Sequence, residues 1–146
     1  GVRQVHYSDF HRGYKQMDLA PGELITKVRL KRPSSDEQGR RVHYYRKVGT
    51  RAAQAISKIC LAGFACVQGD RISQLRIGLG SVAPIPLRCP KTESVLTQGP
   101  LTEALIRRAE ATLAYEITPI DDVRSTALYR RKVTLNLLRE FASRCL

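Results

Sequence analysis

Two runs of strand-forming residues, joined by one short turn, constrain the fold of this chain more than any other feature. Residues 56–67 and residues 71–82 are rich in isoleucine, leucine and other apolar residues, and Gly69-Asp70 separates them. A glycine paired with an aspartate is typical of tight turns between antiparallel strands, because glycine adopts backbone angles that other residues avoid. The pattern therefore predicts a long β-hairpin.

Alternation along the second run predicts one core face and one mixed face. Side chains two residues apart lie on the same side of a strand. One side carries Leu75, Ile77 and Leu79, which we expect to be buried. The other side carries four residues of mixed character: Ile72, Gln74, Arg76 and Gly78.

Further elements flank the hairpin. Residues 42–48 are a candidate third strand, and residues 92–97 are a candidate short helix. Residues 101–116 carry a helical apolar stripe formed by Leu101, Leu105, Ala109 and Leu113. Ser125 or Thr126 can cap a last helix. We therefore predict an α+β fold, in which an antiparallel sheet of about three strands is backed by helices.

The last helix combines a buried stripe with a cluster of cations. Its apolar stripe is formed by Val133, Leu137, Leu138 and Phe141. Arg130, Arg131 and Lys132 lie on its first turns, where cations oppose the helix dipole, so an anionic neighbour would explain them. The interpretation we favour is that these arginines are solvated. We accordingly expect Arg130→Ala to cost little stability if its role is at an interface.

The N-terminal part has a pattern of its own. Residues 24–30 alternate in character, which predicts a half-buried strand with Lys27 and Arg29 exposed. Residues 31–40 are polar and turn-rich, so we interpret them as a linker and place a boundary between two structural units there. The small residues of the segment 51–55 favour a turn or a short helical segment.

Charge restricts the kinds of partner that the chain would meet. The formal net charge is +12, and most of the excess lies in residues 1–58. Such a balance is typical of proteins that meet nucleic acid, an anionic cofactor or an acidic partner surface. The interpretation we favour is one-sided charge that partners in an assembly would balance. No apolar run approaches the ~20 residues needed to span a bilayer.

Neither the cysteines nor the histidines are spaced like metal ligands. Cys60, Cys66, Cys89 and Cys145 contain no C-x-x-C pair, and His6, His11 and His43 lack companion ligands at useful spacing. Cys60 and Cys66 should share one face of a strand but lie too far apart to bridge each other. We expect buried structural thiols in a reducing cytoplasm, and no metal site.

Three ordered blocks of sequence carry a family resemblance. They read YRKVGTRAAQAISK, RIGLGSVAPIPLR and PIDDVRSTALYRRKVTLNLL. Together they resemble the flavoprotein part of the xanthine dehydrogenase family, the molybdenum hydroxylases that include aldehyde oxidases and aerobic carbon monoxide dehydrogenases. The resemblance implies that residues 1–32 are the C-terminal remnant of an FAD-binding domain. It also implies that residues 41–146 form a domain like the C-terminal domain of the CO dehydrogenase flavoprotein.

The resemblance implies a cofactor role for two residues and a catalytic role for none. Lys47 matches a lysine that contacts FAD in the relatives, and Ile25 matches a residue of a strand beside the flavin. In the relatives, an apolar or aromatic residue is common at the position of Arg46. Arg46 therefore competes with Lys47 as the cation that faces the flavin ring. The glycine-rich loops that bind the FAD pyrophosphate are expected upstream, because the only methionine, Met17, indicates a piece of a longer protein.

The resemblance further implies a cytoplasmic oxidoreductase complex, in which this piece alone is inactive. FAD would be shared with the FAD-binding N-terminal domain of the same subunit. Molybdopterin and 2Fe-2S clusters would lie in partner domains or subunits, and electrons would pass from molybdenum through the clusters to FAD and then NAD. The oxidised substrate would be set by the molybdopterin-binding subunit. No nucleic-acid or membrane partner is implied.

Two other classes of function stay open from the residues alone. Tyr44 and Tyr45 lie beside Arg46 and Lys47, and stacking aromatics next to cations suit single-stranded nucleic acid. The alternative is a purely structural interaction domain. A steep fall of affinity with salt would indicate the former.

Overall fold

The computed structural model describes residues 1–30, 39–51 and 55–146, which form two compact units, Gly1–Glu37 and Gln38–Leu146. The predicted linker at residues 31–40 and the predicted turn at residues 51–55 lie largely outside the described residues.

The first unit contains little regular structure in its described part. It has one helical turn, α1 (Tyr7–Phe10), and two short antiparallel strands, β1 (His11–Gly13) and β2 (Gln16–Met17). The strand predicted at residues 24–30 is wrong, because this segment pairs with no strand of the described residues and its side chains are exposed. Alternation supplies the two faces of a strand, but a strand also needs a neighbour for its backbone groups.

The second unit is built on the predicted hairpin. Its sheet is antiparallel, with the order β3 (Arg40–Val48), β4 (Ile59–Gln68), β5 (Arg71–Gly80) and β6 (Leu87–Arg88). The turn between β4 and β5 is made by Gly69 with a positive φ of 59°, which favours glycine. The α+β fold with an antiparallel sheet is therefore confirmed, and a two-residue edge strand adds to the three strands predicted.

One face assignment is wrong because β5 contains a bulge. Val67 pairs with Ile72 and Cys66 pairs with Gln74, so Ser73 is the extra residue between them. A bulge shifts the alternation by one residue. Ile72 is consequently buried on the core face with Leu75, whereas alternation alone predicts it on the mixed face.

Three helices pack in this unit, close to the predicted positions. They are α2 (Pro90–Leu96), α3 (Glu103–Glu116) and α4 (Ala127–Ser143). The predicted stripes of α3 and α4 are confirmed, with Val133 only partly buried. Thr126 caps α4 by accepting a hydrogen bond from the Tyr129 N–H, as expected from the sequence.

The centre of the core is a stack of two aromatic rings above a glycine. Phe141 of α4 is 1% exposed and stacks on Tyr44 of β3, with ring centroids 5.4 Å apart. The ring edge fills the space over Gly63, where an added Cβ would lie 2.6 Å from Cε1 of Phe141. The absence of a side chain at Gly63 therefore allows α4 to approach β4 closely.

Arg130 is buried, contrary to the solvated position predicted for it. Its side chain is 4% exposed, and Nη2 donates to Asp122 Oδ2 at 2.6 Å. Nη1 donates to the carbonyl oxygens of Lys58 at 2.8 Å and Ser81 at 3.1 Å. One guanidinium thus joins the segment before β4, the end of β5 and the connection between α3 and α4. Its fork of donors suits this position better than an ammonium would.

Three of the four thiols are buried, as predicted, and the fourth is half-exposed. Cys66 is 1% exposed, and burial raises the pKa of Cys89 to about 12 and that of Cys145 to about 11. Cys60 is only partly buried. Among the described residues, every helix is too short or too polar to span a bilayer.

The difference in burial predicts selective labelling. A small thiol reagent at about pH 8 should modify Cys60 rapidly, whereas the other three thiols should react only on unfolding. Mass spectrometry over time would show a single fast adduct in the native protein. Cys60→Ser should abolish it. Two or more fast adducts would contradict the burial of the core thiols.

Candidate functional site

Lys47 lies on the face of the sheet opposite the aromatic stack. It is exposed near the end of β3 and pairs with Cys60 of β4, which in turn pairs with Gly80 of β5. Because successive side chains of a strand alternate, Lys47 shares its face with Tyr45 and His43. We call this surface the open face. In the described part of the chain, the Lys47 side chain has neither a hydrogen bond nor an ion pair.

The open face has a floor of small residues beside Lys47. Across β4 and β5 these residues are Cys60, Ala62, Gly78 and Gly80. Above Gly78, an added Cβ would meet only the Ala62 carbonyl oxygen, at 3.9 Å, whereas at Gly80 it would lie 2.6 Å from Cys60 Sγ. The floor is therefore flat at Gly78, and the Cys60 thiol covers Gly80. A planar group could approach the backbone here.

Aromatic rings border the same surface. Tyr45 is 67% exposed, and it pairs with Ala62 of the floor. The His43 and Phe64 rings lie next along the strands, with centroids 5.2 Å apart. Exposed apolar and aromatic side chains around a small-residue floor can contact the face or the edge of a flat ligand.

The neighbouring cations differ from Lys47 in direction or in partners. Arg46 pairs with buried Leu61, and alternation therefore places it on the face that carries the aromatic stack, whereas Lys47 lies on the open face. Arg76 Nη1 donates to the Leu75 carbonyl at 2.8 Å. Arg88 is paired with Glu93 at 2.7 Å. Of the two cations that compete for the flavin role, Lys47 is the one on the open face.

Ile25, the other predicted site residue, lies in the first unit. Its side chain is 60% exposed, and it follows a turn held by Arg3. Arg3 donates to both Glu23 carboxylate oxygens, at 2.7 and 2.6 Å, and to Asp18 Oδ2 at 3.0 Å. The hydrogen bonds from Arg3 lower the pKa of Glu23 to about 2. The predicted contacts of Ile25 and Lys47 with FAD stay predictions.

The tyrosine pair that supported nucleic-acid binding does not act as a pair. Tyr44 is 6% exposed and belongs to the core, while Tyr45 lies on the open face. Burial, together with the nearby Glu140 carboxylate, raises the pKa of Tyr44 to about 12. The nucleic-acid-binding alternative therefore loses one of the two rings proposed to stack on bases. Alternation within the strand was the signal that separates the two side chains.

Sequence reasoning missed the small-residue floor. Alternation along the second run places Gly78 on the mixed face and gives Gly80 no role. The floor depends on the bulge at Ser73, because the turn at Gly69-Asp70 alone would place Cys60 opposite Leu79, whereas the bulged register pairs Cys60 with Gly80 and Ala62 with Gly78. Among the described residues there is no group of three or more histidine, cysteine or acidic side chains that could hold a metal ion.

Known proteins are similar to the chain over most of its length. The family described as CO dehydrogenase flavoprotein C-terminal domain matches residues 43–145. The carbon monoxide dehydrogenase medium chain of Afipia carboxidovorans is 32% identical over 146 residues, covering 99% of this chain and 48% of that relative. The putative xanthine dehydrogenase FAD-binding subunit of Escherichia coli K12 is 24% identical over 143 residues, covering 98% of this chain and 48% of that relative.

A solved structure shares the fold. The reconstituted CO dehydrogenase from Oligotropha carboxidovorans superposes with a TM-score of 0.81 at 26% identity, over 94% of this chain and 46% of that chain. The chain thus spans about half the length of the curated relatives it matches.

Proposed function

Because the chain belongs to the CO dehydrogenase flavoprotein C-terminal domain family, we propose that it forms one wall of an FAD site in an oxidoreductase complex. The observation that carries the proposal is the open face, where an exposed cation lies beside a flat floor of small residues. The proposed contacts to the flavin are Lys47 of the second unit and Ile25 of the first unit. No residue of the chain is proposed to be catalytic.

The residues of the open face fit a flavin ring. Gly78 leaves room for a planar group, Tyr45 offers an exposed aromatic edge, and Lys47 offers a positive charge. FAD, when bound, would supply the electron-accepting chemistry. The proposed role of Lys47 is electrostatic, because its ammonium group favours a more negative charge on a neighbouring flavin.

The wider proposal concerns the assembly. Relatives are named as medium chains or FAD-binding subunits, which supports a place for this chain in a multi-subunit dehydrogenase. Molybdopterin and 2Fe-2S clusters would belong to partner domains or subunits, with NAD as the acceptor and a cytoplasmic location. The relatives are named for xanthine, glyceraldehyde and carbon monoxide, so the proposal leaves the substrate to the molybdopterin-binding partner.

The proposal predicts that Lys47→Met lowers the flavin midpoint potential of the full-length subunit. At an effective dielectric near 20, a unit charge ~4 Å away contributes at most ~4 kcal/mol, which solvent reduces to ~1–3 kcal/mol. For a two-electron couple this corresponds to a fall of roughly 20–65 mV. A spectroelectrochemical titration of the purified subunit measures the shift. In the assembled complex, oxidation of substrate by an artificial acceptor upstream of FAD should be nearly unchanged.

Arg46→Met is the matched control, because it removes a neighbouring cation that lies on the other face of the strand. Its potential should shift by less than half as much as that of Lys47→Met. If Arg46→Met shifts the potential and Lys47→Met does not, the choice of cation is wrong. If neither changes the potential or the flavin content, the open face is only scaffold, and the structural alternative is correct.

A further inference from the structure

The first turn of α4 holds the residue that leads into β4. Arg130 Nη1 donates to the Lys58 carbonyl oxygen at 2.8 Å, and the Lys58 ammonium lies 5.2 Å from the centroid of the Tyr129 ring. Two consecutive residues of the helix therefore contact the backbone and the side chain of Lys58. The cation–π contact and the hydrogen bond use different groups, so they restrain this residue together.

Lys58 transmits this restraint to the end of β3. Its N–H donates to the Val48 carbonyl oxygen at 2.8 Å, and Val48 is the last residue of β3, directly after Lys47. Both backbone polar groups of Lys58 are thus used, one on Arg130 and one on the strand that carries Lys47. Strand ends open at a lower free energy than strand centres. The order of the Lys47 backbone therefore depends on this connection.

The same guanidinium fixes a residue at the other side of the floor. Ser81 follows Gly80 at the end of β5 and has a φ of 68°, in the left-handed region that non-glycine residues rarely adopt. Such a conformation persists only where the surrounding structure imposes it. The Ser81 carbonyl oxygen accepts from Arg130 Nη1 at 3.1 Å. Arg130 thus restrains the chain at both strand ends that border the floor.

Arg130 is a firm anchor for these contacts. Its side chain is 4% exposed, and Nη2 donates to Asp122 Oδ2 at 2.6 Å. The other oxygen of this carboxylate accepts from the backbone N–H groups of Arg124 and Ser125, at 2.8 and 3.0 Å. The carboxylate is therefore fixed to its own turn, and it orients the guanidinium. A planar fork held in this way keeps one geometry.

We propose that Arg130 is a positioning residue for Lys47, on which it acts from the opposite side of the sheet. By fixing Lys58 it fixes the end of β3, and hence the distance between the Lys47 ammonium and a flavin on the open face. The inference rests on the proposed function, because that function places a flavin beside Lys47. It goes further by giving a buried arginine, which itself contacts no cofactor, a part in setting the flavin potential.

The size of the effect follows from the distance dependence of a Coulomb interaction. Arg130→Lys keeps the positive charge, but one ammonium cannot reproduce the contacts of the fork with Lys58, Ser81 and Asp122. If the distance between the Lys47 ammonium and the ring then grows from ~4 to ~6 Å, their interaction falls by about one third. The flavin midpoint potential should therefore fall by about one third of the shift that Lys47→Met causes.

A double-mutant cycle in the full-length subunit tests this route. Arg130→Lys should lower the potential when Lys47 is present and cause no further fall beside Lys47→Met, because the group that it positions is then absent. Lys132→Met is the control, since it removes an exposed cation of the same helix, and it should leave the potential nearly unchanged. Spectroelectrochemical titration measures each variant, and circular dichroism checks that it is folded.

A second variant keeps the test valid if Arg130→Lys does not fold. Asp122→Asn leaves the guanidinium in place but removes the carboxylate that orients it. Loss of a negative charge would by itself raise the flavin potential. A fall of the potential in Asp122→Asn, absent beside Lys47→Met, would therefore come from position and support the inference. A rise or no change would contradict it.

Amide hydrogen exchange provides a readout that needs no flavin. In the flavin-free full-length subunit, Arg130→Lys should speed exchange of the Lys58 N–H, which is bonded to Val48, by at least about tenfold. The Ile77 N–H, bonded to the Glu93 carboxylate at 2.7 Å, should accelerate by a smaller factor. Equal acceleration at both sites would indicate only a loss of global stability, and the inference would be wrong.

The cycle separates failure of the inference from failure of the proposed function. If Lys47→Met lowers the potential and Arg130→Lys does not, the flavin wall stands and the positioning role is wrong. The positioning role is also wrong if Arg130→Lys causes the same fall with and without Lys47, since it then acts by another route. If Lys47→Met itself changes neither potential nor flavin content, the proposed function fails and the inference fails with it.

Discussion

Replacing Arg130 with alanine should lower the free energy of unfolding by about 3–5 kcal/mol. The guanidinium is 4% exposed and donates to the carbonyl groups of Lys58 and Ser81, which would lose these donors. An unsatisfied buried acceptor costs about 1–3 kcal/mol. The truncation also leaves a cavity at the point where three segments meet. Urea unfolding, followed by circular dichroism, measures the loss.

Two neighbouring variants make the test specific. Lys132→Ala removes an exposed cation of the same helix and should change stability by less than about 0.5 kcal/mol. Arg130→Lys keeps the charge but loses the planar fork, so its cost should lie between the two. Equal losses for Arg130→Ala and Lys132→Ala would show that the guanidinium contributes no more than a surface charge.

The buried position of Arg130 could have been read from the sequence. It lies four residues before Thr134, seven before Leu137 and eleven before Phe141, which is the spacing of one helical face. Treating every arginine as solvated hid this pattern. What the sequence does not contain is the set of acceptors, because Lys58, Ser81 and Asp122 are brought together only by the fold.

Elements with many repeats of one signal were predictable, and local irregularities were not. The hairpin and α4 each rest on long runs of consistent periodicity and on a turn or cap residue. The position of Ile72 depends on a single bulged residue, Ser73, for which alternation carries no warning. The strand predicted at residues 24–30 failed for a different reason, since a strand depends on a pairing partner as well as on its own pattern.

The candidate site was predictable only where it depends on alternation and on the family resemblance. The resemblance singled out Lys47, and alternation alone puts it on the face opposite Arg46. The floor beside it is a property of register between β4 and β5. No single-residue signal in Gly78 or Gly80 points to it.

Phe141→Ala should cost about 3–5 kcal/mol, the other large effect expected for this fold. The ring is 1% exposed, stacks on Tyr44 and fills the space above Gly63. Its removal loses apolar burial, the aromatic contact and the close approach of α4 to the sheet. Thermal and urea unfolding measure the change, and Val133→Ala, at a partly buried position of the same helix, is the smaller control.

A double-mutant cycle with Gly63→Ala shows whether the loss arises from this contact. Alone, Gly63→Ala should destabilise by about 1–3 kcal/mol, because its Cβ would meet the Phe141 ring at 2.6 Å. In a Phe141→Ala background the added methyl group enters the vacated space, so its cost should fall towards zero. The two changes should therefore couple by more than about 0.5 kcal/mol. Simple additivity would mean that α4 does not pack its phenylalanine over this glycine, and the placement of the helix on the sheet would be wrong.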